Sequence, residues 1–174
     1  MQRRAVLAGV AVGLAGCAGG DADGGDSPDD SVTGPEREAA EAAIVEGINE
    51  IRSEEHAGTI GVDEPLRDAA RAHSRDMAER GFYAHQNPDG EEPWDRVLCD
   101  AGENIHRGEI GRMQNEGGDE TWQTRHADEL AGYVVEGWVI SDDHYRLMID
   151  GTWRTMGVGV AIVDGEFFAT AKFC

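Results

Sequence analysis

Two apolar runs of similar length, 156–163 and 166–173, flank the dipeptide Asp164-Gly165. Asp-Gly suits a two-residue hairpin turn, whose central residues need positive φ. The chain therefore closes on an antiparallel β-hairpin. The residues upstream read as helices. Over 36–54, Ala39, Ala43, Ile44, Ile48 and Ile51 recur at helical spacing behind Pro35. A second helix spans 63–80, with Asp63 as N-cap, Pro65 in the first turn and Gly81 as its stop. Leu66, Ala69, Ala70, His73 and Met77 line its core face. Asn87-Pro88-Asp89-Gly90 is a turn, and 93–99 predicts a short helix carrying Trp94, Val97 and Leu98. The polar, glycine-containing stretch 108–123 predicts a surface loop. A helix over 128–140 follows, with Leu130, Val134, Gly137, Trp138 and Ile140 on or near its buried face. Helices ahead of a terminal hairpin make the fold α+β with a small antiparallel sheet.

The 174 residues suit one domain plus a tail. Acidic residues number 35 against 15 basic ones, a net charge of -20, and Lys172 is the only lysine. A nucleic-acid partner is excluded on this balance, because phosphate binding needs a basic patch. Docking on an anionic membrane surface is excluded for the same reason. The acids are spread along the whole chain, which favours solubility in very high salt over a dedicated cation site. The reading is a halophilic, acidic protein, as from a haloarchaeon.

Residues 1–16 read as a signal peptide: Arg3-Arg4, then the apolar stretch Ala5 to Gly16, too short to span a bilayer. Leu14-Ala15-Gly16-Cys17 resembles a lipobox, in which Cys17 becomes the lipidated first residue of a membrane-anchored lipoprotein. The paired arginines resemble a twin-arginine export signal. Residues 17–35 follow as a tether rich in Gly, Asp, Ser and Pro, unable to bury enough apolar surface to fold. The expected location is the extracellular face of the cell membrane, and the folded domain is 36–174. Cys99 and Cys174 remain, an even pair in an exported chain, which suggests a disulfide; two unpaired buried thiols are the alternative.

No GxSxG, HExxH, CxxC, P-loop or GxGxxG motif is present. What remains is a set of histidines and carboxylates in apolar settings. The ordered segments are Asn49-x-x-Arg52, Ala70-x-x-His73-Ser74-x-x-Met77, Phe82-Tyr83-Ala84-His85, Gly102-Glu103-Asn104-Ile105, Trp138-x-x-Ser141-x-x-His144 and Met156-Gly157-Val158-Gly159-Val160-Ala161. In this order they resemble the CAP superfamily, or SCP domain, of cysteine-rich secretory, antigen 5 and pathogenesis-related proteins, and above all its prokaryotic secreted branch. The resemblance covers 36–174. It implies an α-β-α sandwich and a cleft holding two histidines and two acids. His85 matches the first histidine, Glu103 the first acid and His144 the second histidine, whereas Ser141 stands where the second acid is expected.

Two imidazoles, His85 and His144, can bind zinc with Glu103 or water completing the shell. Glu103 can instead orient one imidazole by accepting its second N–H. A polar cluster bonding helices to the sheet is the structural alternative. Ser141 and His144, at helical i, i+3 spacing, invite a nucleophile–base reading with no evident orienting acid beyond Glu103. His73 reads as a buried histidine with one partner, and Asn49 and Arg52 as helix-to-loop hydrogen-bonding residues. Trp94, Trp138 and Trp153 read as core, and Trp122 as an exposed contact point. The function expected is ligand binding at the cell surface in the cleft of His85, Glu103, Ser141 and His144. The ligand is an envelope lipid, a glycan, a peptide or protein, or a metal ion. A metal-dependent hydrolase using the same cleft, and a structural envelope protein without ligand, are the alternatives.

Overall fold

The computed structural model describes residues 34–114 and 121–174. The signal segment, Cys17 and nearly all of the tether lie outside the described residues, as does the side chain of Trp122. Among the described residues no helix is long and apolar enough to cross a membrane.

The chain runs α1 (Gly34–Glu54), β1 (Gly61–Val62), α2 (Glu64–Arg80), a 3-10 turn (Pro93–Arg96), β2 (Gly102–Glu109), β3 (Arg112–Gln114) and β4 (Thr121–Gln123). It continues through α3 (Ala127–Ile140), α4 (Asp142–Met148), β5 (Thr155–Val163) and β6 (Glu166–Phe173). Local chemistry sets these boundaries as expected for α2: Asp63 Oδ1 accepts from the Leu66 N–H at 3.1 Å, and Gly81 ends the helix at φ 67. The hairpin turn has Asp164 at φ 52 and Gly165 at φ 79, the paired positive φ of a type I′ turn.

The sheet order is β1-β5-β6-β2, so the terminal hairpin forms its centre. β5–β6 and β6–β2 are antiparallel, whereas the short β1 pairs parallel to β5 and makes the sheet mixed. Side-chain alternation gives the sheet two faces. Met156, Val158, Val160, Phe167, Ala169, Ala171 and Phe173 pack into one core with Ile44 and Ile48 of α1, Leu130, Val134 and Trp138 of α3, and Met148 of α4. Each large side chain buried there contributes about 1.5–3 kcal/mol. The other face carries α2, with Met77, Ile105 and Phe168 packed together. Gly157 and Gly159 let α2 come this close, because a Cβ on either would overlap the Arg67 or Arg71 main-chain nitrogen. The result is the α-β-α sandwich.

Several expectations are corrected. The 93–99 segment is only a 3-10 turn, and Trp94 and Leu98 are solvent-facing, 52% and 109% exposed. A segment that short, held by polar groups, presents no continuous apolar face to the core. Ile140 is 75% exposed because it ends α3, past the last turn packed on the sheet. The 108–123 loop gives way to the end of β2 and the β3–β4 hairpin, whose register pairs Arg112 with Gln123. Main-chain pairing there does not depend on apolar alternation. β2 and α4 are elements that the sequence periodicity does not predict.

Candidate functional site: a buried carboxylate bearing a histidine

The β2–β6 register sets Glu103 directly opposite Lys172. Both side chains point to the α2 face and are buried, at 1% and 0% exposure. Lys172 Nζ lies 2.6 Å from Glu103 Oε2 and also donates to the Pro93 carbonyl at 3.2 Å. Arg96, delivered by the 3-10 turn, places Nη2 at 3.0 Å from Oε2 and 3.2 Å from Oε1. The same Nη2 donates to the His85 carbonyl at 2.8 Å. His85, from the loop after α2, sets its Nδ1 2.9 Å from Oε1. His73 of α2 reaches within 3.6 Å of Oε1, with the same Nε2 at 3.1 Å from the Ala84 carbonyl.

Burial alone would raise the Glu103 pKa. The His85 hydrogen bond and the charges of Lys172 and His73 outweigh it and hold the carboxyl at about 2. Burial likewise lowers the Lys172 pKa, with Glu103 opposing that loss. His73 is pushed down to about 4, chiefly by burial, and is neutral at pH 7. An ionised carboxylate can only accept, so this contact fixes a proton on His85 Nδ1 and orients the ring. The His85 side chain is 46% exposed, so part of this oriented imidazole faces solvent beside a sealed ion cluster.

His144 approaches from the opposite side of β2. Its carbonyl accepts from Asn104 Nδ2 at 3.0 Å, and Asn104 adjoins Glu103. Its pKa is lowered by burial first and by His85 second, so the two rings lie within electrostatic reach. Ser141 is not inside a helical turn. It sits at the α3–α4 junction with φ -91 and ψ 116, and its carbonyl accepts from the Tyr145 N–H at 2.9 Å. Among the described residues no hydrogen bond links the Ser141 and His144 side chains, and none assembles three His, Cys, Asp or Glu side chains able to hold a metal ion. Both Glu103 oxygens are committed to protein donors. The residues present therefore do not fit a three-ligand zinc centre.

The other readings fall into place around this cluster. His73 is 1% exposed with one hydrogen-bond partner, the Ala84 carbonyl, and its Nδ1 has none. Asn49 exchanges two hydrogen bonds with the Ile60 main chain, at 3.0 and 2.9 Å. Arg52 is fully buried and donates to the carbonyls of Ala57, Gly58, Met148 and Asp150. Cys99 and Cys174 are joined in a disulfide, with Cα atoms 6.1 Å apart. Arg96 and Lys172 are the site residues that the sequence reading missed. Lys172 carried a signal, as the only lysine of the chain.

A four-stranded sheet between helices, with a histidine–carboxylate cluster at its outer strand, defines a sandwich domain of the secretory-protein class. The chain belongs to the CAP, or cysteine-rich secretory protein, family, whose sequence profile matches residues 45–173. The uncharacterized protein YkwD of Bacillus subtilis is 28% identical over 127 residues, which cover 70% of this chain and 42% of YkwD. The chain thus spans less than half the length of that relative. An outer surface protein from Borrelia burgdorferi shares the fold at TM-score 0.61 and 16% identity, over 77% of this chain and 90% of that one. An extracellular SCP-domain protein from Bacillus anthracis superposes at TM-score 0.59 and 24% identity, over 86% of this chain and 44% of its own.

Proposed function

We propose that the protein is exported, anchored to the outer face of the membrane through a lipid on Cys17, and works by binding a ligand at the cleft of His85, Glu103 and His144. One observation carries the binding reading: the half-exposed His85 is held at Nδ1 by a buried, ionised carboxylate, which fixes the orientation of a ring that solvent can reach. A purely structural histidine needs no such exposure. The ligand is one that hydrogen-bonds this ring, such as a glycan, a lipid headgroup or a peptide, in preference to a tightly held metal. Export is supported by the secretory family and by relatives described as an outer surface protein and an extracellular protein.

Two experiments test this. Cys17→Ser should shift the protein from the membrane fraction to the medium, and continued membrane association would remove the lipid anchor from the account. Protein extracted from its native membrane is then weighed by native mass spectrometry in high salt. The wild type should carry a small adduct that His85→Ala lacks. Zinc calorimetry on the same pair covers the metal alternative. No adduct and no zinc heat would leave the cluster as a structural device.

A further inference from the structure

Residues 91–99 lie as a strap over the Glu103–Lys172 pair. Its own apolar groups do little to hold it down, since Trp94 and Leu98 face solvent and only Pro93 is buried. None of its residues belongs to either apolar cluster of the domain. Its first residues, Glu91 and Glu92, are hydrogen-bonded to Asn87 and Gln86 of the preceding turn, and three further ties attach the strap to the sheet and the His85 loop. Arg96 reaches Glu103 and the His85 carbonyl, Lys172 donates to the Pro93 carbonyl, and Cys99 is bonded to Cys174. The covalent tie is placed tellingly: Cys99 is three residues beyond Arg96, and Cys174 is two beyond Lys172. One bond therefore clamps together the two segments that supply both cations of Glu103. Both cysteines are partly exposed, within reach of a reductant.

We propose that the Cys99–Cys174 disulfide is a redox latch on the histidine cleft: intact, it holds the strap over Glu103 and Lys172, and its reduction frees the strap and uncovers that pair. The co-reactant is a dithiol. One of its thiolates attacks a cysteine Sγ, the Sγ–Sγ bond breaks, and the second thiolate displaces the mixed disulfide. The products are the two cysteine thiols and the oxidised, cyclic reductant, with two electrons and two protons transferred. With the strap released, Glu103 loses Arg96 and keeps Lys172, and His85 loses the bond that pins its carbonyl. The main core contains no strap residue, so the opening is local. The latch would regulate the cleft proposed above, and its relevance rests on that reading. Its test needs no ligand, so the latch and the binding site fail separately.

The chain's only lysine is the reporter. Full-length protein is treated with an amine-acylating ester, with and without dithiothreitol, and Lys172 modification is followed by peptide mass spectrometry. Labelling follows the population of the open state. Lys172 should stay unmodified in the oxidised protein and react at least about tenfold faster after reduction, while amide exchange in α1 and α3 remains slow. Cys99→Ser without reductant should behave like the reduced protein. Arg96→Gln with the disulfide intact should raise labelling less than reduction does. Equal labelling in oxidised and reduced protein would overturn the latch. So would loss of protection throughout α1 and α3 on reduction, which would make the bridge a staple of the whole fold. A larger effect of Arg96→Gln than of reduction would also overturn it, by assigning closure to the ion pair.

Discussion

Lys172 and Glu103 illustrate how costly and how specific a buried ion pair is. Two charges withdrawn from water are tolerated only while each keeps its partner. Lys172→Met leaves Glu103 with Arg96 as its one cationic hydrogen-bond partner, and is expected to cost about 3–5 kcal/mol in denaturant unfolding. The double variant Lys172→Met/Glu103→Gln should recover part of that, because the buried carboxylate is gone and only Arg96, 10% exposed, is left without its anion. A single-variant loss near zero would show that the pair is not buried in solution. Acid should expose the same region. His73 is held at about 4 when folded against 6.5 as its ordinary value, so the unfolded chain binds its proton first. The stability it contributes is complete above pH 6.5 and is lost as pH falls toward 4. Glu103, at about 2 against 4.5, adds a second loss between those two values. Unfolding titrations across this range check the sign, and His73→Asn should flatten the upper part.

At the scale of elements, the α2–β5 contact is the tightest interface described. Gly157→Ala or Gly159→Ala sets a methyl against the α2 backbone, which cannot yield as a flexible side chain would. The expected loss is about 1–3 kcal/mol, read as a lower melting temperature, and an unchanged melting point would mean α2 stands further off. These elements were legible because their signals are local: a capping Asp63, a stopping Gly81, apolar spacing in α1 and α3, and Asp164-Gly165 in the hairpin. β2 was not legible. Its inward side chains include Glu103, whose burial depends on Lys172 some seventy residues away. No window of β2 alone signals a strand with a charged inner face. Arg96 was obscured for the same reason, its partner being set by a register that was not yet known. His85, Glu103 and His144 stood out as candidates through the order of motifs, whereas the cluster that joins His85 to Glu103 needed the sheet.

For the whole molecule, a net charge of -20 over 174 residues implies strong self-repulsion in dilute solution. Counter-ions screen it, so the melting temperature should rise with salt until the Debye length shrinks to about 3 Å near 1 M. A melting point indifferent to salt would remove the halophilic reading. The disulfide closes a separation of 75 residues, and its reduction should cost about 2–4 kcal/mol of global stability, which shortens but does not abolish amide protection in α1 and α3 and leaves the fold intact. The order of assembly follows from the sheet. Its two central strands, β5 and β6, come after every other element in the chain. On the ribosome, α1, α2, β2 and α3 emerge with their apolar faces made and no platform to receive them. The domain therefore folds only after residue 173 has been synthesised, in one late step dominated by distant contacts. Until then the nascent chain is a client for whatever keeps unfinished proteins apart, and any truncation short of β6 would leave it there.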